Sequence, residues 1–127
     1  MAKVLVIGGG AAGLLAAGTA AQRGHEVTIL ERNERPARKV MITGKGRCNL
    51  TNHCTLINEL VAQVPTNGRF LFSAFMRFLP ADMMELVEAE GVELKIERGN
   101  RVFPVSDKAV DIVDALVRYC TNGGARI

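Results

Sequence analysis

Three glycines and one acid near the amino end of the chain have the types and spacing that point most directly to chemistry. The apolar run Val4–Ile7 is followed by Gly8, Gly10 and Gly13, which have the spacing Gly-x-Gly-x-x-Gly. Glu31 lies eighteen residues after Gly13, at the end of a second apolar run. This combination is typical of a site that binds a dinucleotide.

Each of these residues has a distinct expected role. Gly8 allows a tight turn, Gly10 lets a pyrophosphate approach the backbone, and Gly13 lets a helix pack closely against a strand. The start of that helix offers unpaired N–H groups to the phosphates. Glu31 can accept hydrogen bonds from both hydroxyls of the adenosine ribose. The alternative is a glycine turn that only packs the fold and binds no ligand.

The elements that must position these residues follow from the same stretch. The pattern predicts a strand, a glycine turn, a helix from Ala11 to Arg23 that ends at Gly24, and a second strand over Val27–Leu30. Strand, turn, helix, strand and acid in this order form a βαβ unit. The sequence therefore predicts an α/β fold of the Rossmann type.

A basic connection and a polar loop follow the acid. Arg32 and Lys39 belong to a positively charged stretch that is either a solvated loop or a cation cluster near the cofactor. Glu31 would repel the extra phosphate of NADP, which disfavours NADP here. The polar stretch 43–52 predicts a loop that wraps a ligand with backbone N–H groups, hydroxyls and amides; an ordinary polar turn is the alternative. Cys48 within it is interpreted as a packed small residue rather than a redox thiol.

Composition narrows the class of protein. The chain has 127 residues, 48% of them hydrophobic and 23% charged, which suits one globular domain with a core. A 5% aromatic content without tryptophan argues against an aromatic platform for single-stranded nucleic acid, and a net charge of +3 does not demand one. Three widely spaced cysteines argue against a disulfide framework or a zinc site, so no metal is expected. No apolar run is long enough for a membrane span, and a cytoplasmic location is expected.

The rest of the chain predicts further elements. We expect helices over 56–64, 69–78 and 80–90 and a hairpin that turns at Gly99-Asn100. We also expect a helix capped by Ser106 and the start of a strand over 125–127. The phenylalanines of the second helix are expected in the core, and a wall of a substrate site is the alternative. Only two complete parallel strands are present, with a third just begun, so we interpret residues 1–127 as the N-terminal part of a longer protein.

The motifs GGGAAGLLAA, LER, TGKGRCNLTN and RVFPVS resemble a bacterial family of FAD-dependent flavoproteins, the NAD(P)/FAD-dependent oxidoreductases of the aminoacetone-oxidase type. The resemblance implies a glutathione-reductase-like FAD-binding domain, with an incomplete parallel sheet, a β-hairpin and helices. Family members also carry a substrate-side domain and a C-terminal flavin-binding segment, both absent from these 127 residues. The position of Ala37 is commonly glycine in a related pattern.

The resemblance also implies cofactor-binding residues, while no catalytic residue is identified. The pyrophosphate would contact Gly8, Gly10, Ala12 and Gly13; the adenosine end would contact Glu31 and Arg32; the flavin or its phosphate arm would run along Lys39, Thr43, Gly44, Gly46, Arg47, Cys48, Asn49 and Thr51; and Phe103 and Pro104 would lie on the flavin side.

The expected function is therefore the FAD-binding portion of a flavin-dependent oxidoreductase. NAD(P)H is the candidate electron donor, and a small molecule rather than nucleic acid is the expected substrate. An NAD-binding module of a dehydrogenase and a non-catalytic nucleic-acid-binding domain remain the alternatives. The oligomeric state does not follow from the sequence.

Overall fold

The computed structural model describes residues 1–127 and contains five strands and six helices. The strands are β1 (Lys3–Ile7), β2 (Glu26–Leu30), β3 (Thr51–Asn52), β4 (Leu94–Glu97) and β5 (Arg101–Pro104). The helices are α1 (Ala11–Gln22), α2 (Arg38–Ile42), α3 (Ile57–Ala62), α4 (Phe72–Arg77), α5 (Pro80–Ala89) and α6 (Ala109–Asn122).

The predicted parallel sheet is confirmed. β1 and β2 pair in parallel, from Lys3 opposite Glu26 to Ile7 opposite Leu30. Arg126 forms a parallel bridge with Thr28: its carbonyl accepts the Ile29 N–H at 2.7 Å. The expected third strand therefore begins beside β2 at the end of the described chain.

A second, three-stranded sheet is not hydrogen-bonded to the first. The predicted hairpin is confirmed as the antiparallel pair β4–β5, and the short β3 adds to the other side of β5. β3 was not predicted, because two residues within a polar loop carry no alternating pattern.

The core lies between the parallel sheet and the helices α1 and α6. Leu14, Ile29, Ile112 and Cys120 are fully or almost fully buried there. α6 crosses α1 closely because Gly18 has no side chain: a Cβ at Gly18 would lie 2.3 Å from the Tyr119 ring. This contact holds α6 across the helix that follows the glycine turn.

Three expectations about the helices were wrong in detail. α6 begins at Ala109 rather than directly after Ser106, whose hydroxyl instead bonds to the Asp111 carboxylate. The basic connection contains the short helix α2, which its composition did not indicate. The phenylalanines around α4 are not core residues: none of them belongs to the buried cluster, and Phe70 is 86% and Phe72 43% exposed.

No helix in the structure combines the length and the apolar character needed to cross a bilayer.

Candidate functional site

The glycine turn forms at the carboxyl ends of both parallel strands. Gly8 leaves β1 with φ +96°, and its N–H donates to the Leu30 carbonyl at the end of β2, at 2.8 Å. Gly13 lies in the first turn of α1, where a Cβ would lie 2.0 Å from the Gly8 carbonyl oxygen. Only glycine therefore fits at this crossing of helix and turn. The carboxyl edge of a parallel sheet is where this class of fold binds ligands.

The first turn of α1 presents unpaired donors to open space. The backbone N–H groups of Gly10, Ala11 and Ala12 donate to no acceptor within the chain, and no side chain caps the helix. A Cβ built at Gly10 would meet no atom within 4 Å. The helix therefore offers unpaired donors and the positive end of its dipole on its first turn, with open space beside Gly10.

Glu31 is bound to the turn by its carboxylate. Oε1 accepts the Gly9 N–H at 2.9 Å, and Oε2 accepts the Asn33 N–H at 2.7 Å. These two backbone bonds, that from Asn33 first, lower the pKa of the Glu31 carboxyl below its ordinary value. The side chain therefore stays ionised beside the turn, and each oxygen keeps a free acceptor position.

The connection after β2 folds back over the turn. Ala37 is buried and has φ +57°, and its N–H donates to the Gly9 carbonyl at 2.6 Å. Sequence reasoning missed Gly9, Asn33 and Ala37 as parts of this arrangement. The frequent glycine at the position of Ala37 in the related pattern was the one signal for its left-handed backbone.

Several of the expected residues of the polar loop surround a cavity beside α1. Its volume is about 330 Å³, and its lining includes Ala12 together with Thr43, Cys48 and Asn49. The lining is mostly apolar and also receives Leu15, Val40, Leu50, Met83, Ile112 and Leu116, which sequence reasoning did not single out. The glycine turn and the loop therefore lie next to one another, as a cofactor that spans both would require.

The loop itself has an unusual backbone. Gly44, Lys45, Gly46 and Cys48 all have positive φ, between 57° and 83°. Cys48 is buried, and burial raises the pKa of its thiol. A protonated, buried thiol is a poor nucleophile, which agrees with the interpretation of Cys48 as a packed residue.

Arg47 is held by two carboxylates and an aromatic ring. Its guanidinium donates to the carboxylates of Asp107, at 2.8 Å, and Glu97, and lies 4.0 Å from the centre of the Phe103 ring. Lys95 bonds to the same Asp107 at 2.9 Å. These contacts hold the loop, which was expected to lie along the flavin or its phosphate arm, on the β4–β5 hairpin.

The other expected residues do not line the cavity beside α1. Arg32 and Lys39 are exposed and make no ion pair within the chain, while Thr51 pairs with Val102 in the small sheet. Gly46 lies on the exposed side of the loop. The structure thus brings together the glycines and Glu31 in one group and the loop residues in a second, adjacent group.

The sequence matches the family model described as the HI0933-like protein Rossmann domain over residues 2–127. The chain belongs to this HI0933-like family. The family resemblance inferred from the sequence is confirmed, and so is the Rossmann fold class.

Curated relatives of the HI0933-like domain carry two kinds of name. The chain is 36% identical over 119 residues to the ribosomal RNA dihydrouridine synthase of Escherichia coli K12, covering 94% of this chain and 29% of that protein. It is 32% identical over 123 residues to the Haemophilus influenzae protein of the same name, covering 97% and 30%. It is 33% identical over 118 residues to the 3-dehydro-bile acid delta(4,6)-reductase of Clostridium scindens, covering 91% and 28%. The chain thus spans about 30% of the length of these relatives.

A solved structure supports the fold. The crystal structure of Thermovibrio ammonificans THI4 superposes with a TM-score of 0.63 at 16% identity, covering 98% of this chain and 36% of that chain. At this identity the likeness concerns the fold alone.

Proposed function

We propose that this chain is the FAD-binding portion of a flavin-dependent oxidoreductase. The observation that carries the proposal is the set of free N–H groups on the first turn of α1, which face open space at Gly10. A pyrophosphate supplies the anionic acceptors that such a turn lacks. The bound flavin would supply hydride transfer, and this chain would bind and orient the cofactor.

Glu31 would hold the adenosine ribose. Its carboxylate already accepts the N–H groups of Gly9 and Asn33, and each oxygen keeps a lone pair for a ribose hydroxyl. The same side chain would therefore fix the shape of the glycine turn and bind the sugar. Arg32, which is exposed beside it, would contact the adenosine end.

The polar loop would line the remaining length of the cofactor. Thr43, Cys48 and Asn49 line the cavity that reaches Ala12 on α1, so a molecule leaving the glycine turn meets these residues next. Gly44, Gly46 and Thr51 would contribute backbone groups, and Lys39 would contribute an exposed charge. Arg47 would act on this stretch by holding the loop in place, since two carboxylates already bind it.

The proposed reaction is reduction of a carbon–carbon double bond, with NAD(P)H as the electron donor. The names of the curated relatives, a dihydrouridine synthase and a delta(4,6)-reductase, both describe products with fewer double bonds. Their substrates by name differ, ribosomal RNA in one case and a bile acid in the other. The sequence-based expectation of a small-molecule substrate is therefore one of two substrate classes, and RNA is the other.

A titration with FAD and NAD tests the cofactor assignment. The purified protein, unfolded and refolded in the presence of FAD, is expected to be yellow and to retain FAD through gel filtration. Its melting temperature should rise with FAD concentration and respond much less to NAD. A colourless protein that NAD alone stabilises would assign the site to the dehydrogenase alternative.

A further inference from the structure

A second cavity runs along the outer face of α1, away from the parallel sheet. Its volume is about 590 Å³, and it lies between α1 and the end of α4. Its lining includes Arg23, His25, Arg77 and Phe78. We call this cavity the α1–α4 groove.

The groove is positively charged and has no acidic neighbour in its lining. The two segments that build it share this property: residues 1–25 contain no Asp or Glu, and neither do residues 60–81. Arg23 and Arg77 are exposed, and neither forms an ion pair within the chain. Two free guanidinium groups in an acid-free groove favour a polyanion as the occupant.

An aromatic ring lies beside these charges. Phe78 is 37% exposed and lines the groove, whereas the more exposed Phe70 does not. A partly exposed ring that lines the same groove as two guanidinium groups suits an unpaired base with its phosphate. A simple inorganic anion would leave this ring without a partner, so the combination favours single-stranded nucleic acid.

The groove continues toward the cofactor site. Ala12 and Leu15 line both the α1–α4 groove and the cavity beside the glycine turn. A strand that lies in the groove would therefore lead toward the place where the cofactor is proposed to bind. We propose that the α1–α4 groove binds a single-stranded segment of RNA. That this RNA would be the substrate of a reaction rests on the proposed function above, whereas RNA binding by the groove does not.

Fluorescence anisotropy tests the groove directly. The probe is a fluorescein-labelled oligouridylate of twelve nucleotides, titrated with the protein at several salt concentrations. Arg77→Ala should reduce the slope of log K against log salt by about 0.7, the value for one lost phosphate contact on a single strand. Phe78→Ala should weaken binding by about tenfold, as expected for loss of one stacked base.

Two matched variants serve as controls. Phe70→Ala removes a more exposed ring that lies outside the groove, and Arg38→Ala removes an exposed arginine of the basic connection. Both should bind the probe as the original protein does. Melting temperature and FAD affinity should be unchanged in Arg77→Ala and in the two controls. Phe78→Ala truncates a ring that is only 37% exposed and should lower the melting temperature, so its RNA binding is measured well below that temperature, where its FAD affinity should be unchanged. A failure of RNA binding is therefore distinguishable from a failure of the cofactor assignment.

Three results would overturn the assignment. One is the absence of saturable binding at low salt. The second is loss of binding in Arg38→Ala with unchanged binding in Arg77→Ala, which would place the contact on the basic connection. The third is concentration-dependent dimerisation that Phe78→Ala abolishes without any RNA binding, which would assign the groove to a second copy of the chain.

Discussion

Replacing Gly10 and Gly13 separately by alanine separates the role of the glycine turn in binding from its role in folding. A Cβ at Gly10 would meet no atom within 4 Å, and the residue has an ordinary φ of −79°. Loss of a glycine N-cap costs several tenths of a kcal/mol or more, and the lower entropy of the unfolded alanine chain offsets about as much. We therefore expect Gly10→Ala to fold with a melting temperature within about 4 °C of the original.

Gly13→Ala should behave differently. The new Cβ would lie 2.0 Å from the Gly8 carbonyl oxygen, and real Cβ contacts are not found below 3.0 Å, so the backbone must move. Overpacking costs about 1–3 kcal/mol, and the upper end applies here because the clash is with the backbone rather than with a flexible side chain. Alanine's better helix propensity returns about 1 kcal/mol, which leaves a net loss of about 2 kcal/mol. For 127 residues, the unfolding entropy is about 270 cal/mol/K, so each kcal/mol lowers the melting temperature by about 4 °C.

FAD titration completes the comparison. Gly10→Ala should lose at least about tenfold in FAD affinity while its melting temperature is retained, because the new methyl group occupies the space proposed for the pyrophosphate. Circular dichroism measures the melting temperature, and quenching of flavin fluorescence measures the affinity. If Gly10→Ala binds FAD as tightly as the original protein, the pyrophosphate does not lie on this turn, and the cofactor assignment fails.

The remaining predictions concern an acid, a buried backbone position and the thiols. The bonds from the Gly9 and Asn33 N–H groups lower the folded pKa of Glu31, so Glu31 should stabilise the fold above its ordinary pKa of 4.5. This contribution should be lost as the pH falls through the lower folded pKa. The free energy of unfolding, measured by chemical unfolding against pH, should depend less on pH in Glu31→Gln, and an unchanged profile would contradict the prediction. Ala37→Gly should be nearly neutral, since relief of the left-handed strain offsets the entropy of glycine, whereas Ala37→Val should unfold at clearly lower temperature; equal melting temperatures for the two variants would refute the left-handed assignment. Burial raises the pKa of the Cys48 thiol, and it raises the pKa of the Cys120 thiol to about 11. A thiol reagent at pH 8 should therefore label the less buried Cys54 first, as measured by mass spectrometry of the labelled peptides. Faster labelling of Cys48 than of Cys54 would show that Cys48 is activated.

The βαβ unit was predictable because its signals are local. Two apolar runs, glycines at fixed spacing and a helix-forming stretch lie within thirty-one residues, and each element is indicated by its own residues. The hairpin at Gly99 was predictable for the same reason. The start of a third strand over 125–127 was also predictable, because it follows the glycines that end α6, and Arg126 pairs with Thr28 of β2.

The contacts that shape the site were not predictable, because they join distant parts of the chain. Nothing in the local sequence indicates that Arg47 pairs with Glu97, fifty residues later. The bond from Gly9 to Glu31 likewise depends on the register in which β1 and β2 pair. Exposure of Phe70 could not be read from its apolar character, because burial depends on which helices cover the sheet.

The run of left-handed residues in the polar loop limits which sequences this segment can accept. At Gly44, Lys45, Gly46 and Cys48, the backbone penalises valine, isoleucine and threonine regardless of what surrounds the side chain. Whether the loop tolerates a substitution would therefore depend more on the backbone conformations that the new residue can adopt than on its polarity. Lineages that diverge in substrate would be expected to exchange side chains here while keeping glycine, asparagine and other residues that enter this region of conformational space at low cost.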